Sequence, residues 1–545
     1  MEYSKEDNLS EIQSVSNHDI EVSSKSNNTW ISWVHKLDAL GVESRGIERA
    51  TPEERRELAL SSKQSKFVQF LHVMGLWFAA CGGLTTMSSF FLPTLMFGLN
   101  VKNAMVSGII SMVIGCLVPA YTSTMGAKSG LRQMVSARFL FGWWGVRFVA
   151  LVCIIGGVGW SVVNCVLGGQ VLAAISGTSL VTGIVVISIV SLVVAVFGIR
   201  ILLKFQTILA IPITISAILF YVVLCKKTQY LSVTDALILA QEETALTRTG
   251  NWLSFFTVGY SVTATWGSGA ADYYILFPED TSSLQVFALT FAGIAIPSTF
   301  VAVAGTLCGA IAYSYEPWNQ AYESYGIGGL LNESFKPWGK FGKFVVVLLY
   351  ISLVCNNIMN TYSCAFEFQL IDKRLAIVPR WVWAVVVTVI YLVISLAGRS
   401  HLSTIIGNFL PMLGYWISMY ITILLEENII FRSSTNAKML HHVEFGHQDV
   451  SKVEEEAPVN SWVKDLYNWE HWDEPEYVTL GLAAGLSFVI GAVGAVVGMN
   501  QVYWQGPIAK KIGDYGGDIG FWLCMAFSGV SYPVLRYFEL KRFGK

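Results

Sequence analysis

The residues most able to do chemistry in this 545-residue chain are polar and aromatic side chains set inside apolar stretches. Trp160 and Asn164 are four apart, so a helix puts both on one face. In Cys355-Asn356-Asn357-Ile-Met-Asn360, Asn356 and Asn360 share a face in the same way, with Asn357 beside them. A carboxamide offers a carbonyl acceptor and two N–H donors, so it can match a ring nitrogen, a carbonyl or a hydroxyl. Trp160 and Trp266 offer flat π-faces on which a heteroaromatic ring can stack. Each Asn alone would equally serve as inter-helical glue, and each Trp as packing. No Lys or Arg accompanies them to hold a carboxylate or phosphate, so the ligand they suit is small, neutral, flat and polar-edged.

Two glycine clusters stand near these residues. Gly82-Gly83 interrupts the apolar stretch beginning at Gly75, and Gly267-Ser-Gly269 interrupts the one beginning at Gly259. A glycine inside a helix costs roughly 1 kcal/mol against alanine. Unwound backbone at membrane depth is tolerated only where it is buried in protein or lines a cavity. Glycines that merely let helices approach would give the same pattern in one helix. A pair of interrupted segments in matching positions of two halves points instead to a transporter's midplane site.

The elements that position these residues follow from composition. The chain is 53% hydrophobic and only 14% charged, with mean hydropathy +0.53. A soluble chain carries about a quarter charged residues, so a soluble enzyme, a disordered chain and a coiled coil are excluded. Runs free of Asp, Glu, Lys and Arg lie at 67–101, 104–127, 148–199, 205–225, 251–278, 281–315, 344–366, 381–398, 400–425, 477–509 and 519–535. The third run is too long for one span and breaks at Ser176-Gly-Thr-Ser179, which predicts twelve membrane helices of about 20 residues each. Unbroken apolar runs also exclude a barrel of alternating strands. The interrupted helices are then the first and sixth. The fold class predicted is an all-α polytopic membrane protein, two five-helix inverted repeats plus two helices.

The predicted divisions are a tail at 1–66, repeats at 67–225 and 226–431, a cytosolic loop at 432–476, the last two helices at 477–535 and a tail at 536–545. With the N-terminus inside, 25 Lys and Arg fall on the cytosolic side and 10 in the outer loops, so the positive-inside rule puts both termini in the cytosol. The loop with Glu279 and Asp280 has no basic residue. Residues 1–66 read as a disordered, polar tail without a signal peptide, leaving the first helix as the targeting element. Nine scattered cysteines read as embedded free thiols. His441, His442 and His447 with Glu444 read as a solvated loop, because no metal-binding helix pattern frames them. Asn332-Glu-Ser334 is a glycosylation sequon in an outer loop, whereas Asn8 and Asn27 would lie in the cytosol. The net charge of −2 leaves no basic footprint for nucleic acid. No HExxH or GxSxG stands in a span, so no catalytic residue, metal or bound cofactor is expected.

The chain resembles the nucleobase:cation symporter family, the purine-cytosine permeases and their relatives, over essentially 37–543. The resemblance rests on Gly41-Val-Glu-Ser-Arg-Gly-Ile-Glu-Arg49, Gly126-Ala-Lys-Ser-Gly130 with Ala137-Arg-Phe-Leu-Phe-Gly142, and Ala270-Ala-Asp-Tyr273. Asn-Asn-Ile-x-Asn at 356–360 and Phe409-Leu-Pro-Met-Leu-Gly-Tyr-Trp416 add to it. It implies the five-plus-five fold, with substrate between helices one, three, six and eight. By matching position, Trp266 and Trp160 are the implied stackers, and Asn164, Asn356 and Asn360 the implied polar contacts. Three positions depart from the purine permeases: Trp77-Phe-Ala-Ala-Cys81 lacks their serine and amide, Met359 replaces a proline, and Gly267-Ser268 follows the stacker. These departures, and a likeness to the branch that carries vitamin B6, imply plasma-membrane import of pyridoxine and related vitamers. A nucleobase permease with an altered pocket is the alternative.

The coupling ion expected is a proton. Where sodium-coupled members carry a hydroxyl pair, this chain reads Tyr350-Ile351 with only Ser352 adjacent, too few oxygens for sodium. Proton coupling needs a titratable group on the pathway. Asp272, just after the helix-six break, is the preferred candidate, and Glu367, seven residues past Asn360, is the second. A Glu367 side chain snorkelling to the membrane surface would account for it equally. His72 lies in the cytosolic half of helix one.

Overall fold

The computed structural model describes residues 46–60, 65–432 and 467–543. A short helix, α1 (Pro52–Leu60), precedes the first membrane segment. That segment is split into α2 (Lys66–Cys81) and α3 (Leu84–Phe90). The two parts, with a further turn at Leu92–Leu95, meet at 41°. The break is at Gly82 and Gly83, the latter extended at φ −137°. Gly83 is required sterically, since a Cβ there would overlap the Ser352 side chain.

Next come α4 (Val101–Ser129), α5 (Arg138–Ser176), α6 (Leu180–Ala195) and α7 (Ile199–Cys225). The boundary between α5 and α6 is written in local chemistry. Gly177 closes α5 in the left-handed region at φ 72°, and the Ser179 hydroxyl caps α6 at Thr182 N. A short α8 (Gln229–Leu239) leads to α9 (Ala245–Ala264), where the second interruption begins. Helix does not resume in α form there: two 3-10 turns follow, Thr265–Ser268 and Ala270–Tyr273, with Gly269 between them. The remaining helices are α10 (Ser283–Ser314), α11 (Glu316–Phe335), α12 (Gly339–Ile371), α13 (Arg380–Gly398), α14 (Leu402–Glu426), α15 (Leu482–Gly498) and α16 (Gly520–Phe543). A two-stranded hairpin pairs Asn500–Gln501 with Trp504–Gln505.

Every apolar run of the sequence carries helix. By length and apolar composition, seven helices among the described residues can cross a membrane, or eight with the bent pair α2–α3. The apolar helices α6 and α15 have 16 and 17 residues, short of the usual 20 or so, and α9 and α16 fall outside that set as well. A count of twelve spans rests on these four helices.

One sequence expectation changes, and two sequence features gain a structural setting. Residues 52–60 of the supposed disordered tail form α1, and Arg55 is fully buried. Its guanidinium donates to Ala127 O at 2.7 Å and Phe277 O at 3.2 Å, closing the end of α4 and the turn after the sixth segment. Burial pulls the Arg55 guanidinium down to about 10, and it stays charged at neutral pH. Glu279, in the acidic loop, pairs with Arg55 at 3.8 Å and with Arg56, which accounts for a loop without basic residues of its own. Finally, Asn332 is helical within the segment read as an outer loop. It lies in α11 and donates its amide to Ala174 O at 3.0 Å. The histidine cluster at 441–447, Asn8 and Asn27 lie outside the described residues.

The end of α14 winds into a π-turn, Glu427–Phe431, beside a buried ionic cluster. Glu427 accepts from Arg432 at 3.1 Å and from Arg536 at 3.1 Å, and Tyr532 donates to it at 2.8 Å. Arg536 also pairs with Glu539 at 3.0 Å. Both oxygens of Glu427 are thus engaged, which makes a buried carboxylate tolerable and ties the last helix to α14.

Candidate functional site

The helix breaks, α5 and α12 enclose one cavity of about 50 Å³. A cavity of that size holds a few waters, so side chains around it must part to admit a ring. Its polar end is an amide relay. Thr85, just beyond the first break, donates to Asn164 Oδ1 at 2.7 Å. Asn164 donates to Asn356 Oδ1 at 2.9 Å, and Asn360 to the same oxygen at 3.2 Å. Asn356 then donates to Ala80 O at 3.1 Å, a carbonyl released by the unwinding of α2. Asn356 and Asn360 line the cavity, whereas Asn164 stands behind them, fully buried. Asn357 faces the other way, toward Cys165 Sγ at 3.9 Å.

Both predicted tryptophans line the cavity. Trp160 donates its indole N–H to Thr265 Oγ1 at 3.1 Å, which fixes the ring plane. Trp266 packs edge-on against Trp77, with centroids 5.5 Å apart and an 81° interplanar angle. Trp416 from α14 adds a third indole, and Tyr273 a phenol. The sequence reading assigned no role to Trp416, although it ends one of the quoted stretches. Thr85 and Ser363 were missed because single hydroxyls in apolar helices carry no distinguishing signal. Gly269 lines the cavity, and Ser363 Oγ lies 3.3 Å from where its Cβ would stand. Gly82 and Gly83 form the bend without lining it, and Gly267 packs against Val118.

The opposite end is acidic. Glu367 is 5% exposed and lines the cavity, so it does not snorkel to the surface. Cys153 on α5 donates its thiol to Oε1 at 2.6 Å, and Oε2 is buried without a partner. Asp272, the preferred acid from the sequence, is not in the cavity wall. It accepts from Gln133 N at 2.9 Å and from Ser363 Oγ at 3.0 Å. That ties the turn after the sixth segment to the short helix Gln133–Ser136 and to α12. The two acids therefore stand in different settings, Glu367 facing the cavity and Asp272 behind its lining.

Ser352 accepts from Leu84 N at 2.9 Å and donates to Leu349 O at 2.6 Å. It caps the helix beyond the first break. No described Lys or Arg lines the cavity. Among the described residues no cluster of His, Cys, Asp and Glu could hold a metal.

A polytopic helical protein with a small polar-edged cavity at two broken helices has the architecture of a secondary transporter. Residues 63–444 match the family described as permease for cytosine/purines, uracil, thiamine, allantoin, and the chain belongs to that family. It is 50% identical over 537 residues to the vitamin B6 transporter TPN1 of Saccharomyces cerevisiae, covering 95% of this chain and 90% of that one. Identity with the purine-cytosine permease FCY2 of the same yeast is 29%, over 95% and 90%. The fold is similar to that of Mhp1, a nucleobase-cation-symport-1 family transporter in a closed conformation with bromovinylhydantoin bound. The TM-score is 0.59 at 12% identity, covering 92% of this chain and 96% of that one. The chain is a membrane permease, not an enzyme.

Proposed function

We propose that this permease imports vitamin B6, as pyridoxine and related vitamers, across the plasma membrane by proton symport, with both termini in the cytosol. The observation that carries the reading is identity of 50% along nearly the whole chain to a vitamin B6 transporter, against 29% to a purine-cytosine permease. The cavity supports it. Two of the departures from the purine permeases, Met359 and Ser268, stand in its wall, whereas Cys81 is buried outside it. In this reading Trp160 and Trp266 stack the ring, Asn356 and Asn360 bind its polar edge, and Asn164 holds Asn356 in orientation.

The proton reading now favours Glu367 over Asp272, because only Glu367 faces the cavity. The test is growth of a pyridoxine-requiring yeast that lacks its own uptake system. Expression of this chain should restore growth at low external pyridoxine without conferring cytosine uptake. Cytosine uptake without rescue would select the nucleobase alternative.

A further inference from the structure

We propose that Glu367 is a substrate contact that makes the cavity specific for a ring with a basic nitrogen, a deepening that rests on the vitamin B6 reading above. The cavity has two polar ends on one helix. Asn360 stands at one, two turns from Glu367 at the other, about 10 Å along the axis of α12. A substituted six-membered ring with polar groups at opposite ends bridges such a gap.

The acidic end is built and incomplete. Glu367 Oε1 is occupied by the Cys153 thiol at 2.6 Å, which orients the carboxyl, while Oε2 is buried with no donor. A buried acceptor left unpaired is costly, so a ligand that brings a donor here is favoured over one that does not. Other groups nearby do not supply that donor. Ser363 spends its hydroxyl on Asp272 at 3.0 Å, Cys364 points its thiol at Ile154 O at 3.9 Å, and the Trp160 indole is held by Thr265.

Pyridoxine is a 3-hydroxypyridine, whose ring nitrogen carries a proton in its zwitterionic form. That N–H donates to a carboxylate, and an unprotonated ring nitrogen accepts from a carboxylic acid. Either way one proton lies between Glu367 Oε2 and the ring nitrogen, no bond other than N–H or O–H changes, and proton and substrate occupy the cavity together. Charge-assisted bonds of this kind are about twice as strong as neutral ones. Nucleobases also offer N–H groups, but these are weak bases that bring a neutral donor.

The test compares pyridoxine with its carbocyclic analogue, in which C–H replaces the ring nitrogen, by binding to the purified full chain in detergent. The wild type should bind pyridoxine about tenfold more tightly than the analogue. Glu367→Gln, similar in size, should melt near the wild type and bring the two affinities within about twofold. Glu367→Asp, which withdraws the carboxyl by one methylene, should weaken pyridoxine and not the analogue, and Cys153→Ala should keep the preference. A tenfold preference that survives Glu367→Gln overturns the proposal while leaving vitamin B6 transport standing. A wild type that binds both ligands equally overturns it too, and one that binds neither removes the vitamin B6 reading and this proposal with it. Should Glu367→Gln not fold, a Glu367→Asp protein with an unchanged preference overturns the proposal equally.

Discussion

Cys153 on α5 and Glu367 on α12 meet at 2.6 Å between Sγ and Oε1 across 214 residues of sequence. The contact holds an acid inside the membrane that the sequence leaves free to reach the surface. Glu367 faces the cavity, whereas Asp272, set apart from its lining, is bonded to Gln133 and Ser363.

That separation predicts different fates for the two acids. Uptake should need no sodium, increase at acidic pH and collapse with a protonophore. Glu367→Gln should reach the surface yet fail to concentrate substrate. Asp272→Asn weakens the acceptor for Gln133 N and Ser363, so the amount of folded protein should fall. Measuring surface protein and accumulated pyridoxine for both variants checks this, and sodium-driven uptake indifferent to the protonophore would refute it.

The two cavity asparagines should also behave differently. Asn356 accepts two hydrogen bonds and closes the free carbonyl of Ala80, so Asn356→Ala leaves several buried groups unpaired, at about 1–3 kcal/mol each. Both protein level and affinity should drop. Asn360 makes a single bond to Asn356, so Asn360→Ala should keep the protein level and raise KM about tenfold. Surface quantification beside uptake kinetics distinguishes the two patterns.

Trp266 is braced edge-on by Trp77 and lines the cavity. Aromatic contacts are worth about 0.5–1.5 kcal/mol beyond the area they bury. Trp266→Ala should therefore weaken uptake about tenfold, and Trp266→Phe should retain part of it. Unchanged affinity in a surface-expressed Trp266→Ala would remove the stacking role.

The bend in the first segment depends on Gly83 lying against Ser352. Gly83→Ala should abolish uptake and reduce folded protein. Adding Ser352→Gly removes the clash along with the cap on Leu84 N, so the double variant should recover part of the protein level. The recovery is read by fluorescence-detected size exclusion, and a Gly83→Ala protein at wild-type level would show that the backbone can yield.

The Glu427–Arg536–Arg432 cluster lies outside the cavity lining. Breaking a buried ion pair from one side costs about 3–5 kcal/mol. Arg536→Ala should lower the melting temperature markedly while the protein that remains binds substrate with normal affinity. Thermal unfolding with and without pyridoxine tests both halves.

What the sequence determined by itself was local. Apolar runs specify helices, Gly82-Gly83 and Gly267-Ser-Gly269 specify the interruptions, and Gly177 with Ser179 specifies where one helix stops and the next begins, because each depends on a few adjacent residues. Spacing also placed Asn356 and Asn360 on one face of α12. Spacing along one helix cannot say what faces that side. Only the tertiary structure put Asn164 one layer behind the cavity, added Trp416 to its wall, folded the segment around Arg55 onto the end of α4, and bound Asp272 to Gln133. It likewise chose between an exposed and an enclosed Glu367, since that depends on whether a neighbouring helix covers the side chain. The reason is physical: a polar group within a membrane protein takes its role from the partner that satisfies it, and those partners come from helices far apart in the chain.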